Sequence, residues 1–225
     1  MASAGFALLL AIAIAAFWKP YLERLPEVAP RLTHLHAALM AAWCALLAVQ
    51  PALVATGRRS AHRALGRSAW VLAPAIVAVS LVLAWQVTRP AAGAAIEPFR
   101  YGLFVVQLAS PLIFGGCVAM ALRHRRDAAR HARWMVASGL SILDPVFARV
   151  FTNLASGAPA WLTEYGSSIV ANAAVALLMA LDRRGRGIYG ALLAALVLMQ
   201  VLWLWLPTQA FWRRGVEVLF VTSPA

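Results

Sequence analysis

Long apolar runs separated by short basic connections make up most of this chain. The runs fall at 2–18, 34–56, 68–88, 101–122, 134–155, 166–181 and 187–207, near the roughly 20 residues that cross a bilayer as a helix. They are continuous and rich in Ala and Leu, without the period-two alternation of a barrel strand. The pattern predicts an all-α polytopic transmembrane bundle of about seven spans. It forms one transmembrane domain over 1–207, followed by a short C-terminal tail over 208–225 that lies on the outer surface or is disordered. The sixth run is short and the fifth is the most polar, so five or six spans is the alternative. Short connections make successive spans antiparallel neighbours. The first run has no basic segment before it and ends in Trp18-Lys19-Pro20 rather than a small-residue cleavage site, so it reads as a retained span.

Composition strengthens this reading. The chain is 63% hydrophobic and 12% charged, half of the approximately 25% charged residues in a soluble domain. Its formal charge of +12 is concentrated in alternate connections. Arg58, Arg59, Arg63 and Arg67 follow the second run. Arg123, Arg125, Arg126, Arg130 and Arg133 follow the fourth, and Arg183, Arg184 and Arg186 follow the sixth. These twelve of twenty basic residues share one side if all seven runs span, while five of the eight acids fall on the other. The positive-inside rule then makes the arginine-rich side cytoplasmic in a bacterial-type inner membrane, with the N-terminus in and the C-terminus out. The charge is thereby assigned to topology and the lipid bilayer rather than to nucleic acid. Cys44 and Cys117 lie within apolar runs without metal-type spacing and read as small buried hydrophobes.

Polar residues inside apolar runs are the candidates for chemistry. Toward the arginine-rich side stand His62 and His131, at matching depth at the starts of the third and fifth runs, with His124 nearby and Gln50 deeper. Two facing imidazoles at one depth suit a bis-histidine haem b, with arginines for the propionates. The competing reading is a set of interfacial histidines meeting lipid phosphate. A second group lies mostly toward the other side. His36 opens a stripe with Trp43, Gln50 and Gly57 at seven-residue spacing. Gln107 and Ser110 lie in the fourth run, Asp144, Arg149 and Asn153 in the fifth, Asn172 in the sixth and Gln200 in the seventh. Arg149 suits a carboxylate or quinone oxygen, and Asp144 a proton carrier. Here the competing reading is hydrogen-bonded glue between helices. Neither a protease, phosphate-loop nor redox-cysteine motif is present, and the only lysine, Lys19, lies outside the spans.

The connection Arg58-Arg59-Ser60-Ala61-His62-Arg63 is echoed by Arg125-Arg126-Asp127-Ala128-Ala129-Arg130-His131, as two parallel helical hairpins of a repeat would be; the competing reading is that the match is short and basic loops resemble one another anyway. The combination of His36, Gln50, Gly57-Arg58, His62-Arg63-x-x-Gly66-Arg67 and His131-x-Arg133-Trp134-Met135 resembles a family of bacterial multi-pass membrane proteins that has no assigned activity. The resemblance covers roughly residues 34–155 and implies architecture more than function. It also resembles, distantly, small membrane b-type cytochromes, but departs from them because their haem histidines usually sit deeper in the helices. The leading expectation is a haem b- or quinone-binding redox-type membrane protein with His62, His131 and His36 as cofactor residues and no metal held by protein ligands alone. The alternatives are a transporter or binding protein for an anion or lipid-like molecule, built on Arg149, Asp144, Asn153, Gln50, Gln107 and Asn172, or an accessory subunit of a larger membrane-protein partner.

Overall fold

The structure is a computed structural model that describes residues 2–18, 31–91, 94–153 and 159–220. Among the described residues every regular element is helical: α1 Ala2–Phe17, α2 Arg31–Ala55, α3 Arg59–Gly66, α4 Ala69–Thr88, α5 Pro98–Arg123, α6 Ala128–Leu140, α7 Leu143–Asn153, α8 Ala160–Leu181, α9 Arg186–Trp205 and α10 Ala210–Phe220. Six stretches are long and apolar enough to cross a membrane: Arg31–Ala55, Arg59–Thr88, Pro98–Arg123, Ala128–Asn153, Glu164–Leu181 and Arg183–Thr208. Helix α1 is apolar but shorter. Most of the connection expected between the first two spans lies outside the described residues.

The boundaries depart from the apolar runs for identifiable reasons. After α2 the chain reverses through a Schellman turn. Gly57 adopts φ 74°, the Arg58 N–H donates to the Leu53 carbonyl at 2.8 Å, and the Gly57 N–H donates to the Val54 carbonyl at 3.1 Å. With the turn completed and no proline following, Arg59–Gly66 is helical rather than a loop. At its end, N–H groups of Arg67 and Ser68 donate three residues back, to Ala64 and Leu65. This local tightening joins α3 to α4. The fifth span starts at Ala128 rather than 134 because Asp127 caps it, accepting from the Arg130 N–H at 3.0 Å. That span is divided into α6 and α7 around Ser141 and Ile142. Pro145 has no N–H to offer the Ser141 carbonyl, and its ring crowds that carbonyl.

The helices close into a ring in which α1 packs on α2, then α4, α5, α9, α8 and α7 follow, and α7 returns to α1. Helix α6 lies within this ring, touching α5, α9, α2 and α8. Gly139 allows that central position: a Cβ there would lie 2.5 Å from the Phe6 ring and 3.2 Å from Leu47. One core joins Trp43, Leu47, Ile76, Phe114 and Val118, and a second joins Cys117, Ala137, Val175, Leu192 and Met199. Both cysteines are buried and free. Large apolar side chains such as Val71, Leu112, Leu177 and Leu181 face outward, as lipid contact requires.

The tail is not disordered over its described part. Helix α10 is amphipathic and buries Val216 and Phe220 against Ala84, Ile96, Tyr101 and Phe104. The Trp212 indole N–H donates to the Tyr101 carbonyl at 3.0 Å, and the Tyr101 hydroxyl donates to Glu217 at 2.7 Å. These contacts lie where α4 ends and α5 begins, at the opposite end of the bundle from the arginine-rich connections.

Candidate ligand site at the arginine-rich end

The three basic connections meet at one end of the bundle. His62 on α3 and His131 on α6 face each other with ring centres 6.4 Å apart and ring planes at 85°. Arg133, two residues after His131, forms a bidentate ion pair with Asp182 at 2.6 and 3.0 Å. Asp182 also accepts from the Gly185 N–H at 3.1 Å. The ion pair therefore anchors α6 to the turn between α8 and α9. The Arg133 guanidinium hydrogen-bonded to Asp182 holds its carboxyl below the usual aspartate range.

The two histidines are held differently. His131 Nδ1 lies 2.9 Å from the Ala121 carbonyl of α5. A carbonyl can only accept, so Nδ1 carries the proton and, in the neutral ring, Nε2 presents its lone pair. A backbone carbonyl behind one nitrogen is how proteins orient a metal-binding imidazole. His62 Nδ1 is buried with no hydrogen-bond partner. The same is true of both polar atoms of Gln50, a residue only 8% exposed. Gln50 lies beside Gly66, where a Cβ would be 3.4 Å from its Nε2. Gly66 is one turn after His62, so both residues lie on the same face of α3. A buried polar atom without a partner costs about 1–3 kcal/mol. His62 and Gln50 therefore mark a place where water or a ligand with hydrogen-bonding or coordinating atoms gains free energy.

The ring spacing also bears on metal chemistry. Two imidazole nitrogens each about 2 Å from one central metal put their ring centres roughly 6 Å apart on opposite sides. At 6.4 Å the two rings are close enough to meet one shared ligand. Among the described residues no three His, Cys, Asp or Glu side chains converge on one point. A two-histidine site needs its remaining ligands from elsewhere, and a porphyrin supplies four in one plane.

The second group of polar residues divides among separate helix contacts. The Ser168 hydroxyl donates to Asp144 at 3.3 Å, across α7 and α8. Asn153 Nδ2 donates to the Ala16 carbonyl at 2.7 Å, where α1 ends. Asn172 and Gln200 exchange hydrogen bonds at 2.8 and 3.4 Å between α8 and α9. The Thr88 hydroxyl lies 3.5 Å from Gln107. Arg149 is exposed. These contacts each have the form of interhelical glue, and no described contact links Arg149 to Asp144.

The stripe along α2 does share one face: Trp43 is fully buried, Gln50 is buried, and His36 approaches Ser80 of α4 at 3.4 Å. His36 nevertheless lies fourteen residues before Gln50, about 21 Å along the helix, and is not brought to the histidine pair. His124 closes α5 as its C-cap. Sequence reasoning missed Asp182 and the Ala121 carbonyl. A signal for Asp182 was available: a lone acid directly before a basic connection needs a cationic partner once the helices pack. The Ala121 carbonyl leaves no such trace, because every residue has one.

Comparison with known proteins adds no relative: no protein-family model, curated protein or solved structure matches the chain.

Proposed function

We propose that the chain is a redox-type membrane protein that holds haem b between His62 and His131 at its arginine-rich end. The observation that carries the reading is the pair of imidazoles 6.4 Å apart, one oriented from behind by a carbonyl and the other with a buried, unpartnered nitrogen. His131 Nε2 and a His62 nitrogen would hold the haem iron. When bound, the haem would supply one-electron chemistry. The chain's own contribution is to fix His131 through α5, to anchor α6 through Arg133 and Asp182, and to offer the Gln50 amide to the ligand edge. Exposed arginines around the pair suit the propionates. In this reading the arginine-rich end faces the cytoplasm in a bacterial-type inner membrane.

A quinone-class ligand is the second reading, favoured by Gln50. Its unpaired N–H and carbonyl match a molecule that accepts a hydrogen bond as quinone and donates one as quinol.

The test is the visible absorption spectrum of detergent-purified protein, produced with ample haem supply, oxidised and then reduced with dithionite. A Soret band with sharp reduced α and β bands, lost in both His62→Ala and His131→Ala, is the expected result. A featureless spectrum from folded protein overturns the haem reading. Saturable quinone binding lost in Gln50→Leu would then establish the second.

A further inference from the structure

The first basic connection has a property that the other two lack. From Val28 to Ile96 the chain contains no Asp or Glu, so Arg58, Arg59, Arg63 and Arg67 have no carboxylate on their own hairpin. The other two connections contain Asp127 and Asp182. Both acids are used, by Arg130 at 3.4 Å and by Arg133 at 2.6 Å. The Arg58 side chain is exposed, and no described residue pairs with its guanidinium.

Arg58 stands at the rim of a cleft of about 560 Å³ between α1 and α2. The walls are mostly apolar, with Ala7 from α1 and Ala48, Val49, Ala52 and Leu53 from α2, and Thr56 and Arg58 are the polar residues of the lining. The cleft is shallow and open, and Ala7, Val49 and Ala52 on its walls are exposed, so in a bilayer lipid chains would lie against it. The Schellman turn at Gly57 fixes the Arg58 backbone at its mouth, because the Arg58 N–H bonds back to Leu53 of the cleft wall. An apolar groove ending in an unpaired guanidinium matches a molecule with a long hydrocarbon chain and an anionic head. A zwitterionic head fits less well, since its ammonium would meet Arg58 and Arg59, and no described acid pairs with either.

We propose that this cleft binds one anionic phospholipid, an acyl chain along Ala7, Ala48, Ala52 and Leu53 and its phosphodiester on Arg58. The cleft is walled by α1 and α2, whereas the histidine pair lies between α3 and α6, and the proposal does not depend on the ligand held there. Native mass spectrometry of purified protein, equilibrated with mixed phosphatidylglycerol and phosphatidylethanolamine, tests it. The wild type should retain one phosphatidylglycerol in preference to phosphatidylethanolamine. Arg58→Gln should weaken that retention about five-fold, the effect of one basic residue at a membrane surface. Ala52→Trp, an exposed position, should block the cleft without touching the charge. Equal retention of both lipids by the wild type overturns the proposal, as does phosphatidylglycerol retention unchanged in both variants. Displacement of the lipid by millimolar inorganic phosphate alone would overturn the acyl-chain part, leaving a simple anion site.

Discussion

After α2 the chain reads Arg58-Arg59-Ser60-Ala61-His62, and after α5 it reads Arg125-Arg126-Asp127-Ala128, reaching His131 three residues later. Both turns precede a short helix with one histidine facing the other hairpin. In the second turn the polar groups are satisfied internally: Asp127 caps α6 and meets Arg130, His131 donates to Ala121, and Arg133 pairs with Asp182. In the first turn they are not. All four buried side-chain atoms without a partner among the described residues, on Trp43, Gln50 and His62, belong to α2 and α3. Helix α6 enters the ring of helices and is held on several sides, whereas α3 buries no residue fully. One hairpin is a scaffold, and the other presents groups that need something further to bind. A small change in sequence, serine at 60 against aspartate at 127, accompanies that division.

The largest effect is expected from damage to the satisfied side. Arg133→Leu leaves Asp182 partly buried beside an apolar chain and should destabilise the protein by about 2 kcal/mol, read as a lowered melting temperature in detergent. The same pair gives a pH dependence. The Asp182 carboxyl is held below its ordinary value, first by its hydrogen bond from Arg133. Its contribution is therefore present above the unfolded aspartate value of 3.8, and is lost as pH falls through the lower folded value. Asp182→Asn should flatten stability against pH in that acid window, and an unchanged acid profile would count against the ion pair as its source.

On the unsatisfied side the expected sign reverses. Gln50→Leu removes two buried atoms without partners and should stabilise the protein by roughly 1–2 kcal/mol. It should also weaken retention of the ligand at the histidine pair. A drop in melting temperature for ligand-free Gln50→Leu would show that the amide is already satisfied. Gly57→Ala forces a β-carbon into φ 74° and should cost about 1 kcal/mol. Its effect should be confined to the α2–α3 turn, visible as faster amide exchange there and not in α6. The smallest change makes the first turn resemble the second. Ser60→Asp places a carboxylate in the first turn of α3 and should stabilise it by about 0.5 kcal/mol, while lowering retention of phosphatidylglycerol. No loss of lipid would separate the cleft from the charge of its turn.

Much of the architecture was legible in the chain. The apolar runs reported helices long enough to span, because a bilayer leaves a backbone no other local solution than a helix. Gly57 marked the end of α2. The matched depth of His62 and His131 was readable on two hairpins, but their convergence was not, since it depends on the order of helices around the bundle; the heptad of Trp43 and Gln50 gave the buried face of α2. The helical start at 59 was obscured because arginines and polar residues mask helix continuation in a hydropathy pattern. The division near Pro145 was not readable from the proline alone, because Pro51, Pro74 and Pro111 lie inside unbroken helices. The packing of α10 was not readable either, since its partners Tyr101 and Phe104 lie more than a hundred residues earlier.

What the sequence determined by itself was therefore the material: apolar spans, arginine-rich connections, turns set by glycine and proline, and a short set of intramembrane polar groups. These are local properties, governed by solvation and backbone geometry within a few residues. Tertiary structure alone decided which polar groups were satisfied. Asp144, Asn153, Asn172 and Gln107 looked alike to Gln50 as polar residues in apolar runs, yet each of them meets a partner from another helix while Gln50 meets none. Hydrogen bonding is short-ranged and directional, so that distinction exists only once the ring of helices has closed around α6.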